Sequence, residues 1–377
     1  MIYLDNAATT LIKPPEVKQA VTEAFDVCGN AGRGGYKEAR VASDLVFEAR
    51  EKAAELFGAE NAEQIVFTHN ATYAINMAIK GIAEKGKCVI SGYEHNSVVR
   101  PLMTFSGLET VIARGKLFDG EELISSFKKK ITADVKFCVC THVSNVFGYI
   151  LPIKEIDEVC FKKGIPLIID ASQSAGVIPV KLSDLRATEC ICAPGHKSLY
   201  GPQGTGILVC RNGGNLKTLI EGGTGSNSED IRQPEFLPDR FEAGTLNLPG
   251  IAGLAAGIGY IQKRGERSIL KKERGLIDYI GMELMKIKDV YPFFSKERSL
   301  QSGVLSFVVK GRSSDEIAAL LSEAGVAVRS GKHCAPLAHQ TVGTKDGTVR
   351  VSVSDFTTEK DAEMFVLILK KLMRKKL

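Results

Sequence analysis

The chain has 377 residues, 44% hydrophobic and 25% charged, with a mean hydropathy of +0.00, a balance that builds a large globular core and excludes a disordered, fibrous or mini-protein chain. Lys and Arg number 49 against 44 Asp and Glu. A surplus of five over this length raises no strong field for nucleic acid or anionic lipid, so small-molecule chemistry is the expectation.

From the N terminus, apolar residues at helical spacing predict helices over 15–27, 38–57, 71–84, 120–130 and 153–163. Short β-branched runs fall at 64–68, 87–91, 109–113, 135–141, 166–170, 189–193 and 206–210. Strands separated by helices imply a doubly wound, mostly parallel α/β sheet covered on both faces. Between 220 and 249 the pattern dissolves into Gly, Ser, Asn and Pro, a stretch too long for an ordinary connection and read as a functional loop or a segment lent to a neighbouring subunit. The run 247–261 is apolar but broken by four glycines and shorter than the ~20 residues a spanning helix needs, so no membrane segment is expected. A helix at 266–286, strands at 304–309, 326–329 and 348–354, and a capped helix from Thr357 onward describe a smaller α+β domain. The expected division is an N-terminal segment, 1–13, packing with the small domain, a large domain over 14–249 and a small one over 250–377. Lys370, Lys371, Arg374, Lys375 and Lys376 suit a helix C-terminus better than a nucleic-acid surface.

Nine cysteines, an odd number in a long chain whose start shows no signal-peptide pattern, argue against a disulfide framework and place the protein in the cytoplasm. Cys138 with Cys140, and Cys190 with Cys192, share strand faces and read as small buried apolar residues. Cys334 differs: it lies in the polar loop 329–336 beside Arg329, Lys332 and His333, a setting that favours thiolate. Asp170 closes an apolar strand at the end where open α/β sheets bind ligands, although alone it fits a helix N-cap equally well. Lys197 follows the strand 189–193 within Pro194-Gly195-His196-Lys197, where it is either a solvated loop lysine or a desolvated nucleophile. Asn70-Ala71-Thr72 stands between a strand and a helix, so its amides and the Thr72 hydroxyl can face a phosphate. The dinucleotide, nucleoside-triphosphate and zinc-protease motifs do not occur, and no metal site is expected.

Taken in order, Tyr3-Leu4-Asp5-Asn6-Ala7-Ala8-Thr9-Thr10, Tyr93-Glu94-His95-Asn96, Asp170, Gly195-His196-Lys197, the Arg329-to-Cys334 loop and Gly347-Thr348-Val349-Arg350-Val351-Ser352 resemble the class V aminotransferase family of pyridoxal-phosphate enzymes. The similarity is greatest to its cysteine desulfurase and selenocysteine lyase group. It implies the fold of that family, fold type I, and pyridoxal 5'-phosphate as cofactor, with Lys197 as the Schiff-base lysine, Asp170 on the pyridine nitrogen, Gln173 on the phenolic oxygen and His95 stacked on the ring. Ala71, Thr72 and His196 would hold the phosphate, with Thr245 reaching that of the other subunit in a homodimer with shared active sites. Arg350 and Asn145 would take the substrate carboxylate, and Cys334 would be the nucleophile on L-cysteine or L-selenocysteine, passing sulfur to an acceptor protein or thiol. Aminotransferase, racemase or β-lyase chemistry on the same scaffold would not use Cys334. Two departures stand out: Pro194 replaces a serine that often bonds the phosphate, for which Thr224 or Ser226 is the expected substitute, and Lys332 stands where the group often has histidine.

Overall fold

The computed structural model describes residues 1–32, 34–213, 216–226 and 229–374; Lys375 and Lys376 lie outside them. The chain opens with the short strand β1 (Ile2–Tyr3), then α1 (Pro15–Val27), which carries proline at its first position, where the missing amide costs nothing. Next comes α2 (Lys37–Phe57), ended by Gly58 in the left-handed conformation. The large sheet begins with β2 (Ile65–Thr68), followed by α3 (Ala71–Ile82), β3 (Gly86–Ser91), α4 (Asn96–Met103), β4 (Leu108–Ala113), α5 (Gly120–Lys130), β5 (Val135–Thr141), α6 (Ile153–Lys162), β6 (Leu167–Asp170), β7 (Thr188–Pro194) and β8 (Gly206–Cys210). Strand order is β2-β8-β7-β6-β5-β3-β4, with β8 alone running against the rest. Chain order therefore reverses between β3 and β5, a switch point that opens a crevice at the carboxyl ends of the central strands.

Alternation along each strand feeds two cores. Leu167, Ile169, Cys138 and Cys140 enter the cluster beneath α2, α5 and α6, whereas Ile168, Phe137, Val139 and Cys192 join α3 and α4 on the opposite face. The cysteine pairs of β5 and β7 are fully buried in this packing.

After the Gly-rich segment, α7 (Leu248–Arg264) lies across α1 and α2. Its Ile251, Leu254, Ile258 and Ile261 belong to the core of the large sheet, each contributing about 1.5–3 kcal/mol by burial. Close approach explains two of its glycines: a Cβ at Gly257 would stand 2.2 Å from the Leu199 carbonyl, and one at Gly253 2.6 Å from Val21. Core membership groups α7 with the large sheet, and at Gly265 it meets α8 (Glu266–Leu284). Ile269 still faces the large core, but Leu276, Ile277, Ile280 and Leu284 enter a second one.

That second core lies on a three-stranded antiparallel sheet, ordered β12-β10-β9, built from β9 (Val290–Phe293), β10 (Val304–Val309) and β12 (Val349–Ser352). Between them run α9 (Ser314–Glu323), β11 (Val326–Ala327) and α10 (Pro336–Val342), and α11 (Glu359–Arg374) closes the fold. β1 pairs in parallel with β11, and Leu4 enters the small core. No helix among the described residues is long and apolar enough to cross a membrane.

Candidate active site

A cavity of about 230 Å³ opens at the switch point, lined by the ends of β5, β6 and β7, the starts of α3 and α4, residues of the N-terminal segment and residues from the small domain. Asp170, the last residue of β6, is buried; its Oδ1 accepts from the Ser172 amide at 2.9 Å, and its carbonyl accepts from the His142 amide. Lys197 follows β7 in a closed turn in which the Tyr200 amide donates to the Lys197 carbonyl and the Gly201 amide to that of Gly195. Burial pulls the Lys197 ammonium down to about 8, against the attraction of Asp170.

His95 caps α4. The Ser97 amide donates to its Nδ1 at 3.1 Å, so the ring proton stays on Nε2, and burial first, then the Lys197 charge, push it down to about 4. Ala71 and Thr72 begin α3, where Asn70 takes the Tyr73 amide at 2.9 Å and leaves the two preceding amides facing the cavity without an acceptor among the described residues. His196 brings a buried Nδ1 with no partner, and burial pushes its ring down to about 4. Gln173 spends one amide proton on the Ala7 carbonyl at 3.0 Å.

Arg350, on β12, is wholly buried. It donates to the Asn145 carbonyl at 3.0 Å and to Asp5 Oδ1 at 2.7 Å, while its Nε has no partner. The Asn145 side chain donates to the His333 carbonyl at 2.7 Å. Arg329 and His333 line the cavity; Cys334 stands beside them, exposed, its Sγ accepting from Arg329 at 3.4 Å.

The cavity therefore gathers Ala71, Thr72, His95, Asn145, Asp170, Gln173, His196, Lys197 and Arg350. Thr245 is not among them. It is exposed and lines a separate pocket with Phe47, Thr224 and Asp239. Thr224 and Ser226 bond each other and Ser226 bonds Asp239, so neither substitutes within this chain for the hydroxyl lost at Pro194, which does line the cavity. Sequence reasoning passed over Asp5 as a partner of Arg350, and it passed over Glu94. The Glu94 side chain is fully buried, accepts from the Thr141 amide at 2.8 Å and from the Ser91 hydroxyl, and is pushed up to about 8 by burial. An acid between an apolar strand and a helix cap was its only signal.

No cluster of three or more metal-ligating side chains occurs among the described residues. The donor set suits a phosphorylated aldehyde with a basic ring nitrogen: a desolvated amine to bond the carbonyl, a buried carboxylate for the ring, and free helix amides with an unpartnered imidazole for the phosphate.

Comparison with known proteins accords with this chemistry. The family model for aminotransferase class V matches residues 2–365. A probable cysteine desulfurase of Methanothermobacter thermautotrophicus is 32% identical over 96% of this chain and 92% of its own length. One of Pyrococcus abyssi is 32% identical over 99% and 94%. The apo structure of a cysteine desulfurase from Thermococcus onnurineus superposes with a TM-score of 0.92 at 31% identity, covering 99% of this chain and 94% of that one. With the family's pattern matched along nearly its whole length and the site's donors in place, the chain belongs to the class V aminotransferase family.

Proposed function

We propose that this protein is a cysteine desulfurase that converts L-cysteine to L-alanine and leaves the sulfur as a persulfide on Cys334. The observation that carries the reading is the juxtaposition of buried Lys197 and Asp170 in a cavity whose rim holds the Cys334 thiol against the Arg329 guanidinium. Pyridoxal phosphate supplies an electron sink for the pair released when the substrate α-proton leaves. Ala71, Thr72 and His196 would hold its phosphate, Asp170 its ring nitrogen, Gln173 its phenolic oxygen through the amide proton not given to Ala7, and His95 its ring face.

Arg350 and Asn145 orient the substrate by its carboxylate, which excludes simple thiols. Lys197, desolvated and therefore readily neutral, moves the α-proton. The Cys334 thiolate attacks the substrate sulfur: a sulfur–sulfur bond forms, the carbon–sulfur bond breaks, and its electron pair stays with carbon, which is protonated to give alanine. Carbon is reduced and sulfur oxidised to the sulfane level, so no external oxidant is needed. A protein or small thiol then accepts the sulfane sulfur and restores Cys334. Arg329 donates to the Cys334 sulfur and orients it.

The protein works as a homodimer in which Thr245 of each subunit completes the other's phosphate site. Thr245 is exposed away from its own cavity, and exposed Phe47 lines the same pocket. Nine free cysteines, seven of them buried, suit a reducing cytoplasm.

The test is incubation with L-cysteine and, in parallel, L-selenocysteine, measuring alanine together with sulfide or selenide, and mass spectrometry of the Cys334 peptide before reductant is added. Alanine from L-cysteine and one extra sulfur on Cys334 are expected. Absence of alanine from L-cysteine defeats the reading, and alanine from selenocysteine alone replaces it with a lyase.

A further inference from the structure

We infer that Asn145 is a positioning residue for the nucleophile: one proton of its side-chain amide fixes the Cys334 loop, and the other is left for the substrate carboxylate. This rests on the desulfurase reading for its carboxylate half and on geometry alone for its loop half.

The loop is held in a conformation its residues do not favour. His333 and Cys334 are consecutive side-chain-bearing residues with φ of 49° and 56°, in the left-handed region where a Cβ is crowded. Such a pair persists only where its surroundings hold it. The His333 ring donates through Nε2 to the Thr348 carbonyl at 3.1 Å, the Cys334 carbonyl accepts from the Asn96 amide at 2.8 Å, and the His333 carbonyl accepts from Asn145 Nδ2 at 2.7 Å. Only the last of these comes from a side chain on the far wall of the cavity.

Asn145 is itself immobilised. It is buried, and its own carbonyl takes Arg350 at 3.0 Å. A primary amide carries two N–H groups that diverge from one nitrogen. With one spent on His333, the other has no acceptor among the described residues, and Asn145 lines the cavity together with Arg350. The group that reads the carboxylate is thus the group that holds the peptide next to the thiol. Loop placement and substrate placement share one rigid reference.

Two variants of the cofactor-loaded full-length protein test this. Asn145→Asp keeps the shape but cannot donate, and Asn145→Ala removes the group. Hydrogen exchange of the peptide spanning 330–335, measured without substrate, should rise about fivefold in both, the change expected from one lost hydrogen bond. Alanine formation should show a fall in kcat alongside a rise in KM, since a residue that touched substrate alone would move KM chiefly. Unchanged exchange with a rise in KM alone overturns the inference. If the wild-type protein makes no alanine, the desulfurase reading and the carboxylate half fall together, whereas unchanged exchange defeats the loop half whatever the activity. Should Asn145→Ala fail to fold, the isosteric Asn145→Asp decides.

Discussion

Arg350 donates to Asp5 at 2.7 Å across 345 positions of sequence, so the guanidinium expected to meet the substrate carboxylate already carries one from its own chain. Arg350 therefore does not wait for substrate alone. Removing it leaves Asp5 without its cation and the Asn145 carbonyl without a donor. Arg350→Ala should raise KM for L-cysteine by roughly tenfold to a hundredfold, as expected for losing a charged hydrogen bond of ~1.5–3 kcal/mol, and should also lower the thermal midpoint. Arg350→Lys should restore part of the stability but little of the KM, because one ammonium cannot serve Asp5, Asn145 and substrate together. Unaltered steady-state kinetics in both variants would remove Arg350 from the carboxylate site.

Lys197→Ala should abolish turnover. Borohydride reduction of the wild-type holoenzyme should fix the cofactor to a single peptide containing Lys197, since burial holds that amine near 8. Label recovered on Lys13, which burial also lowers to about 8 and whose amine donates to the His196 carbonyl, would reassign the nucleophile.

Cys334→Ala should separate binding from sulfur transfer. Proton removal depends on Lys197 and Asp170, which the substitution does not touch, so L-cysteine should still exchange its α-proton with solvent while alanine formation falls to background. Undiminished alanine would sink the persulfide route; selenocysteine, whose selenium leaves more readily, can retain partial turnover without contradicting it.

Glu94 gives a pH dependence with a definite sign. Its carboxyl is raised from 4.5 to about 8 by burial, so between these values the unfolded chain has lost a proton that the folded one keeps. Stability therefore falls as pH rises through that window, and the full contribution is present below 4.5. Glu94→Gln cannot ionise. Thermal melts of both proteins at pH 5 and pH 8 should show the variant gaining on wild type at the higher pH, and a pH-independent gap would show that Glu94 is ionised in the fold.

Mixed dimers test the proposed shared site. Subunits carrying Lys197→Ala and Thr245→Ala, each impaired alone, should recover activity on mixing because one of the two sites regains both groups. No recovery would return Thr245 to a role within its own chain.

The residues legible in the sequence were those whose chemistry conflicts with their surroundings: an acid ending the apolar run Leu167–Asp170, a lysine after a strand, a cysteine in a polar loop. Several elements were hidden by local rules that tertiary packing overrides. Helix α4 carries Pro101 within it, and α7 carries Gly253 and Gly257 because neighbouring backbone and side chains leave no room for a Cβ. The strand expected over 326–329 stops at Ala327, and Arg329 instead bridges Arg350. Partnerships such as Asp5 with Arg350, or Asn145 with the His333 carbonyl, leave no local trace, since sequence spacing carries no information at that separation.

The contacts of residues 2–10 also bear on how the pocket is assembled. β1 finds its partner at Val326 and Ala327, the Ala7 amide donates to the Ser352 hydroxyl, Asp5 meets Arg350, and Thr10 reaches back to the His196 carbonyl. Synthesis runs from the N to the C terminus, so that stretch stays unmatched while the large sheet assembles and can be fastened only after β12 has emerged. Residues 2–10 thus become a clasp over the reactive pocket, with Ala7 and Ala8 in its wall, and that clasp cannot close before β12 has been made.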